Sequence, residues 1–296
     1  SSLQFYLTHS ILNDIMASVL IHEPISYIRF LEVSMEKNDK KNIHRSTSRV
    51  LDILELVAAN PSKYTQTEIC EILNAPKSSL FPILYTLVAR KFLALDSNSR
   101  YRIDYSAYLV GNSYLTQLDF LDEVEKVLKD LTEKCSETSH FAILVDGDVL
   151  YLKKIDSPEF IRMTSRVGTR IPAYGTSLGK ALLMDYEIAD LQKLYHNKLE
   201  PITPNTITDF HTLIRQIHEA RINGFTYEIE ESTQYIRCYA VPVKKDGRVV
   251  AAISVAIPIF RYSDEKGALI RALLFDAKAK LETILSNIDM DFNALI

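Results

Sequence analysis

The sequence predicts an α+β fold in two modules, a small helical one followed by a larger one of strands and helices. Three observations support this. Apolar residues recur at helical spacing in three short segments between residues 46 and 89, and a short alternating hairpin follows. Beyond residue 135, two pairs of β-rich segments flank Asp-Gly turns and alternate with helical segments. The length of 296 residues suits two such modules.

Composition and cysteine content narrow the class of protein. Hydrophobic residues make up 47% and charged residues 24% of the chain, the balance of an ordinary globular protein. No apolar run approaches the roughly 18 residues that a membrane span needs, so no membrane partner is expected. The three cysteines are too scattered for a disulfide framework or a zinc site. They indicate a reducing cytoplasm, and the sequence predicts neither a metal nor a cofactor.

The net charge of −4 is unevenly distributed. Residues 35–104 hold 11 basic and 8 acidic side chains, a net charge of +3. Residues 105–296 hold 22 basic and 27 acidic side chains, a net charge of −5. A basic module joined to an acidic one indicates a polyanionic partner for the basic module alone.

The first segments of the chain are predicted as follows. Residues 1–44 are interpreted as an N-terminal extension, either an artefact or an added helix. Residues 45–104 form the first module, whose first helix begins near Ser46 and ends near Asn60, because the proline that follows removes a donor and restricts its predecessor. Thr65 and Glu68 have the spacing of a capping box, which predicts a second helix of about two turns.

A third helix follows the turn at Pro76, where a missing N–H costs little. Its buried stripe is predicted to consist of Leu80, Leu84, Leu87 and Val88. Its other face shows Ser78, Ser79, Phe81, Pro82 and Tyr85. The alternating segments 92–95 and 100–103 then form a hairpin around a polar tip. Three helices and a hairpin are typical of a winged helix-turn-helix.

A winged helix-turn-helix of net positive charge predicts binding to double-stranded DNA, with the third helix in a major groove and the hairpin over a neighbouring groove or the backbone. The basic residues cluster on the two elements that would touch DNA. The candidate DNA contacts are Arg49, Lys77, Ser78, Ser79, Phe81, Tyr85, Arg100 and Arg102. The alternative is a solvated charged face on a helical protein-interaction domain.

Residues 105–120 are predicted as a linker helix, long or broken, that leads into a module spanning residues 121–296. Two antiparallel hairpins are expected there, because Asp-Gly tolerates the positive φ of tight turns. Their strands are predicted at 141–145 with 149–155, and at 238–243 with 249–257. Helices are predicted at 177–184, 188–195, 210–223 and 263–286.

The loop from Gly168 to Lys180 is rich in glycine and hydroxyl side chains immediately before a helix. Free amides at a helix start can bind a carboxylate or phosphate. The loop is no Walker motif, because Ala181 stands where that motif requires Ser or Thr after the Gly-Lys pair. A helix cap without a ligand is an equally good interpretation of this loop.

A second candidate cluster contains Glu228, Glu230 and Cys238. Alternation along a strand would place both carboxylates on one face, where they could do acid/base work. A nucleophilic cysteine needs a base, and no histidine has a recognisable spacing to Cys238. A cysteine within an apolar strand is more often a small core residue.

From Ser46 to Ser286 the chain resembles the IclR family of bacterial transcription regulators. The first module carries the resemblance in Ser48-Arg49-Val50-Leu51 and Pro76-Lys77-Ser78-Ser79. The second module carries it in Pro172, Thr176, Gly179-Lys180-Ala181, the segment Gly224 to Glu231, Cys238, Ala240, Pro242 and Val243, and then Ala251 to Ser254, Pro258 and Arg261. The combination, in this order and at family-like separations, is highly specific.

The resemblance implies a DNA-binding repressor or activator with a linker helix and a GAF-like effector domain, and we expect a repressor. It also implies a homodimer or a dimer of dimers, and an operator affinity controlled by a small carboxylate-bearing effector. The effector contacts that it implies are Tyr174, Ser177, Leu178, Gly179, Glu228, Cys238 and Ser254, with the Ser177 and Leu178 amides as anion contacts.

The chain departs from the family pattern at four positions. Pro82 replaces an arginine of the third helix, which removes a phosphate or base contact and predicts a bend. Glu228 stands where aspartate is usual, and its extra methylene narrows or re-aims the pocket. Tyr235 replaces a glycine before the cysteine, and Tyr174 occupies a position often held by histidine.

Three functions are therefore weighed. The preferred one is an effector-controlled, operator-binding regulator that is not an enzyme and has no catalytic residues. The second is a small-molecule hydrolase or acyltransferase that uses Cys238 with Glu228 or Glu230. The third is a scaffold that dimerises through residues 105–135 without a ligand.

Overall fold

The computed structural model describes residues 44–115 and 120–288. The chain divides into two compact units, the first ending at Leu118 and the second beginning at Asp119. The predicted N-terminal extension lies outside the described residues apart from His44, as do residues 116–119 of the predicted linker helix.

The first unit has the predicted order of helices and strands. Its elements are α1 (Arg45–Ala59), α2 (Gln66–Ile72), α3 (Lys77–Ala89), β1 (Leu93–Leu95), β2 (Tyr101–Ile103) and α4 (Tyr105–Leu115). Strands β1 and β2 pair antiparallel, with Ala94 opposite Arg102. This is the winged helix-turn-helix that the sequence predicts.

The capping box at the start of α2 is present. The Thr65 amide donates to Glu68 Oε2 at 2.7 Å, and the Glu68 amide donates back to Thr65 Oγ1 at 3.5 Å. One apolar core holds the three helices and the hairpin together, and burial of such side chains is the main stabilising term of a small unit. Its members include Ile53, Leu56, Val57, Ile69, Leu80, Leu84, Leu87 and Leu93.

Helix α3 continues through Pro82 from Lys77 to Ala89. Proline has no N–H, so the bond that residue 82 would donate to the carbonyl oxygen of Ser78 is missing. The Pro82 carbonyl oxygen is itself bonded, accepting from Thr86 Oγ1 at 2.7 Å. Because the Pro82 ring is exposed, it occupies no volume in the core on the opposite face of the helix.

The second unit is a six-stranded antiparallel sheet with helices on both faces. Its strands are β3 (Thr138–Val145), β4 (Asp148–Ile155), β5 (Arg170–Pro172), β6 (Thr226–Ile229), β7 (Ile236–Lys245) and β8 (Arg248–Pro258), in the spatial order β5-β4-β3-β8-β7-β6. Its helices are α5 (Leu121–Cys135), α6 (Ser177–Leu182), α7 (Ile188–Leu194), α8 (Phe210–Asn223) and α9 (Asp264–Ser286). The predicted α+β class is confirmed.

Both predicted hairpins are present, and their strands are longer than the sequence pattern suggests. The turn between β3 and β4 has φ of 49° at Asp146 and 84° at Gly147. The turn between β7 and β8 has φ of 51° at Asp246 and 80° at Gly247. Two consecutive positive φ angles define the tight turn that matches the right-handed twist of paired strands, and Asp-Gly adopts them with little strain.

The two faces of the sheet are covered by different helices. Tyr239 points to α9, where its hydroxyl lies close to Gly267. Thr226, opposite Ala240 in the register, points to the other face and donates from Oγ1 to the Ser177 carbonyl oxygen of α6 at 2.6 Å. Glu228, Cys238 and Ser254 lie on this α6 face. No helix in the described part of the chain is long and apolar enough to span a membrane.

Candidate functional site

The exposed face of α3 carries a stripe of four residues, Ser78, Phe81, Pro82 and Tyr85, hereafter the α3 stripe. Their spacing of three and four residues aligns them along the helix. Phe81 is 57% and Tyr85 68% exposed, and their rings stack with centroids 6.2 Å apart. Two large aromatic side chains that are both exposed and adjacent indicate a surface that contacts a partner.

Basic side chains lie on α1, on α3 and in the hairpin of the same unit, and they differ in the contacts that they make within the fold. Lys77, at the first turn of α3, and Arg102, on β2, are exposed. Arg100 is committed within the fold, because its guanidinium donates to the Lys63 carbonyl oxygen and pairs with Glu68 at 3.4 Å. Arg49 is half-buried on α1. Lys77 and Arg102 are therefore the predicted contacts best placed to reach phosphates.

The α6 face of the sheet brings predicted and unpredicted polar residues together. Strand register puts Glu228 beside Cys238, and Cys238 beside Ala256. One row further along, Ser254 lies between Ala240 and His140. Three of the predicted effector contacts, which lie on three different strands, therefore share one face of one sheet.

Glu228 is fully buried at the centre of this group. Its Oε2 accepts from the Glu231 amide at 2.7 Å, and its Oε1 accepts from Ser232 Oγ at 3.3 Å. Within the described part of the chain it forms no salt bridge. Burial disfavours the charged form and raises the pKa of the Glu228 carboxyl to about 7.

Cys238 lies opposite Glu228 in the strand register, and the Glu228 carboxyl and the Ser177 hydroxyl both influence the pKa of its thiol. Burial raises the pKa of this thiol well above its ordinary value, and the Glu228 charge adds to the shift. A thiol that resists ionisation is a poor nucleophile, so the environment of Cys238 is that of a core residue.

The predicted pairing of Glu228 and Glu230 on one strand face is wrong. Strand β6 ends at Ile229, and Glu230 has a left-handed φ of 58°. Its carboxylate turns away from Glu228 and accepts from the Tyr235 amide at 2.7 Å. Because the strand ends one residue before Glu230, the alternation of side chains along β6 does not extend to it. The two carboxylates are therefore not paired for acid/base work.

His140 belongs to the same group, although the sequence marks it as unremarkable. Its Nε2 lies 2.7 Å from Ser165 Oγ, and its Nδ1 lies 3.5 Å from Ser254 Oγ. The ring is fully buried against Tyr151 at a centroid distance of 5.0 Å. Burial lowers the pKa of His140 to about 3, so the imidazole is neutral at physiological pH. A β3 predicted to begin at Thr138 would have placed His140 in the strand, but its position beside Ser254 depends on the pairing of β3 with β8.

Lys180 is a second residue that the sequence does not predict as part of the site. The side chain is 1% exposed, and Nζ donates to both Glu231 carboxylate oxygens at 2.7 and 2.8 Å and to Gln216 Oε1 at 2.7 Å. Burial lowers the pKa of Lys180 and raises that of Glu231, and each charge opposes the shift of the other. Lys180 and its two partners thereby connect α6 and α8 to the loop that contains Glu231, whose amide donates to Glu228.

The remaining predicted effector contacts have structural partners. The amide of Gly179, one of these residues, donates to the Thr176 side chain at 2.8 Å. Thr176 thereby caps α6, as the cap interpretation of the loop expects. Leu178 is buried in the apolar core. Tyr174 is buried as well, and its hydroxyl donates to the Glu200 carbonyl oxygen at 2.7 Å. Ser177 alone of these lies beside Cys238.

The environment of Glu228 predicts a specific pH dependence. The folded protein holds the Glu228 proton up to about pH 7, whereas a carboxyl with the ordinary pKa of 4.5 releases it earlier in the unfolded chain. Stability therefore falls as pH rises between these values, by at most about 1.4 kcal/mol per pH unit. We expect a Glu228→Gln variant to lack this loss, so its stability relative to wild type rises with pH across that window.

Urea unfolding of the two proteins at pH 5, 6 and 7 measures this difference. His140 acts with the opposite sign in both proteins, because its lowered pKa makes the unfolded chain bind the extra proton at acid pH. Only the difference between wild type and variant isolates Glu228. Parallel stability profiles would show that Glu228 does not take up a proton in this range.

Comparison with known proteins identifies the family. Residues 112–282 match the family model described as the C-terminal domain of bacterial transcriptional regulator IclR. Residues 46–97 match the IclR helix-turn-helix domain. The chain belongs to the IclR family of bacterial transcription regulators. The two matches cover both units described above.

Other IclR-family proteins resemble the chain over most of its length. The regulator BhcR of Paracoccus denitrificans is 31% identical over 240 residues, 80% of this chain and 86% of that protein. The repressor AllR of Escherichia coli K12 is 27% identical over 244 residues, 81% and 90%. An IclR homologue of Microbacterium hydrocarbonoxydans, solved in complex with 4-hydroxybenzoate, covers 81% of this chain and 98% of its own with a TM-score of 0.69 and 22% identity.

As an IclR-family member, the chain is a transcription regulator with a DNA-binding helix-turn-helix. The relatives compared are named as regulators, in agreement with the prediction that the chain is not an enzyme. The raised pKa of the buried Cys238 thiol disfavours the hydrolase alternative, and the separation of Glu230 from Glu228 removes its paired-carboxylate form.

Proposed function

We propose that this regulator binds a double-stranded operator through the α3 stripe and the β1–β2 hairpin, and that a small carboxylate-bearing effector bound in the second unit controls the affinity. The convergence of Glu228, Cys238 and Ser254 on one buried sheet face carries the effector part of this proposal. The proposed sign of regulation is repression, as the name of the relative AllR suggests, and the proposed location is the cytoplasm.

The DNA part rests on the arrangement of charge and aromatic surface. Lys77 lies at the start of α3, where helix amides and cations can meet backbone phosphates. Arg102 lies on the hairpin, where a winged domain meets the backbone. The α3 stripe is exposed on the same unit and is free to enter a groove. A helical protein-interaction domain would not need exposed cations on both the third helix and the hairpin.

A salt titration tests the DNA part. Each phosphate contact that a cation makes contributes about 0.9 to the slope of log affinity against log salt. We expect a Lys77→Ala/Arg102→Ala variant to bind an operator fragment, recovered from a random duplex library, more weakly and with a slope lower by about that amount per lost contact. Fluorescence anisotropy from 50 to 300 mM salt measures both quantities.

The matched control is Lys126→Ala/Lys198→Ala, which removes the same charge from exposed positions on the second unit. Its slope should equal that of wild type, because these two lysines are not expected to contact DNA phosphates. A change in net charge alone does not alter the number of counterions that the DNA releases. Arg100 is left intact in both variants, since its contacts with Glu68 and Lys63 make it part of the fold. Equal slopes for both double variants would contradict the proposed interface.

The effector part is supported by the chemistry of the buried face. A carboxyl at Glu228 that is neutral below about pH 7 can donate a hydrogen bond to an anionic ligand without repelling it. Ser254 and Ser177 add hydroxyls, and the neutral His140 adds an imidazole. The related Microbacterium protein binds an aromatic carboxylate, which makes a small organic acid the effector class that we propose here.

We also propose that the regulator is a homodimer or a dimer of dimers. Helix α4 exposes Tyr105, Tyr108, Leu109 and Val110 within two turns. A surface helix normally buries such residues, and an apolar face of this kind favours packing against a second copy. Palindromic half-sites in the recovered operator, spaced by one helical turn or a multiple of it, would accompany a dimer.

A further inference from the structure

The α3 stripe contains very few groups that can read a base by hydrogen bonding. Of its four residues, two are aromatic hydrocarbon faces and one is a proline ring, and polar atoms remain only on Ser78 and at the tip of Tyr85. The whole of α3 holds a single charged residue, Lys77, and no Arg, Asn, Gln, Asp or Glu. Base-specific pairs with guanine and adenine are made mainly by Arg, Lys, Asn and Gln.

The other hydroxyls of α3 are already engaged with the backbone. Ser79 Oγ donates to the Pro76 carbonyl oxygen at 2.8 Å, and Thr86 Oγ1 donates to the Pro82 carbonyl oxygen at 2.7 Å. Both bonds hold these side chains against their own helix. The surface that α3 offers to the floor of a groove is therefore apolar at its centre, where the exposed Phe81 ring stacks on Tyr85.

We infer that the stacked pair of Phe81 and Tyr85 selects operator sequence by apolar contact with the 5-methyl groups of thymine in the major groove. Thymine is the one base that presents a methyl group there. Exposed cations suited to phosphates lie on the same helix, at Lys77, and on the hairpin of the same unit, at Arg102, which favours DNA over an apolar protein face as the partner of this surface. This inference rests on the proposed operator binding and adds the chemical feature that is recognised.

Replacement of thymine by uracil tests the inference without altering the protein. The operator is first selected from a random duplex library with the full-length protein, and thymines should be concentrated where α3 enters the groove. Each of these is then replaced by uracil, which deletes only the methyl group. We expect about fourfold weaker binding per deleted methyl, which corresponds to about 0.8 kcal/mol for one buried methylene-sized group.

Two protein variants separate this inference from the proposed function. Phe81→Ala should bind the thymine operator more weakly and should distinguish it from the uracil operator by clearly less than fourfold, because only the Tyr85 ring remains to contact the methyl groups. Lys77→Ala should lose affinity for both operators equally and should keep the fourfold ratio, because a phosphate contact does not sense the methyl group. Uracil placed outside the α3 positions serves as the DNA control and should have no effect.

Wild-type protein that binds both operators equally, or a selected operator with no thymine at the α3 positions, would overturn methyl recognition and leave DNA binding in place. Failure to select any duplex would overturn the proposed function itself. If Phe81→Ala fails to fold, the uracil series with wild-type protein still decides between these outcomes.

Discussion

Replacing Gly179 with alanine is expected to unfold or severely destabilise the second unit. A Cβ at this position would lie 2.1 Å from the Ala173 carbonyl oxygen and 2.3 Å from the Ala173 Cα. Both are backbone atoms of the turn that leads into α6, so neither can move aside as a flexible side chain would. Overpacking of a rigid core costs about 1 to 3 kcal/mol, and a backbone clash of this depth places Gly179→Ala at or above the upper end.

Gly111→Ala is the matched control for this substitution. Gly111 also lies in a helix, and a Cβ added there meets nothing within 4 Å. Alanine in place of an unhindered helical glycine stabilises by about 1 kcal/mol. Thermal unfolding of the two variants should therefore give shifts of opposite sign. Shifts of the same sign and size would mean that the close packing of Gly179 on Ala173 does not determine the stability of the second unit.

Replacing Lys180 with methionine is expected to cost about 3 to 5 kcal/mol of stability. The change leaves Glu231 buried without its cation, and an uncompensated buried carboxylate is far more costly than the ion pair is favourable. Lys180→Met/Glu231→Gln, which removes both charges, should recover much of this loss. The free energy of unfolding in urea measures each step of the cycle.

An exposed ion pair supplies the comparison for Lys180. Lys126 pairs with Glu123 on α5, where both side chains are more than half exposed. Lys126→Met should cost between zero and about 1 kcal/mol, because water solvates the glutamate that remains. A Lys180→Met variant that loses no more than Lys126→Met would show that Glu231 tolerates the loss of its partner.

The features that the sequence predicts well are those set by local chemistry. The Asp146-Gly147 and Asp246-Gly247 turns define two hairpins, because few other residue pairs adopt two consecutive positive φ angles. The Thr65–Glu68 capping box marks the start of α2 for a similarly local reason. The three effector candidates that share the α6 face were implied by family resemblance, not by spacing along the chain.

Features that depend on distant parts of the chain were not predicted. Lys180 and Glu231 pair across 51 residues, and no spacing rule connects a lysine in an apolar helix to an acid in a loop. His140 and Ser254 meet through the pairing of β3 with β8 across 114 residues. Arg100 was expected to contact phosphate, but the position of the hairpin beside α2 gives its guanidinium to Glu68. Such contacts follow from tertiary packing and strand order.

The central claim is that an organic acid in the second unit changes the affinity of the first for DNA. The most direct test is the operator dissociation constant, measured at fixed salt by fluorescence anisotropy with a sugar acid, a 2-keto acid and 4-hydroxybenzoate in turn. We expect at least one acid to change the constant by about 5-fold or more, the usual range of coupling between sites, and Glu228→Leu to abolish that change while binding the operator normally. A constant that none of the acids changes, or a change that persists in Glu228→Leu, would contradict the claim.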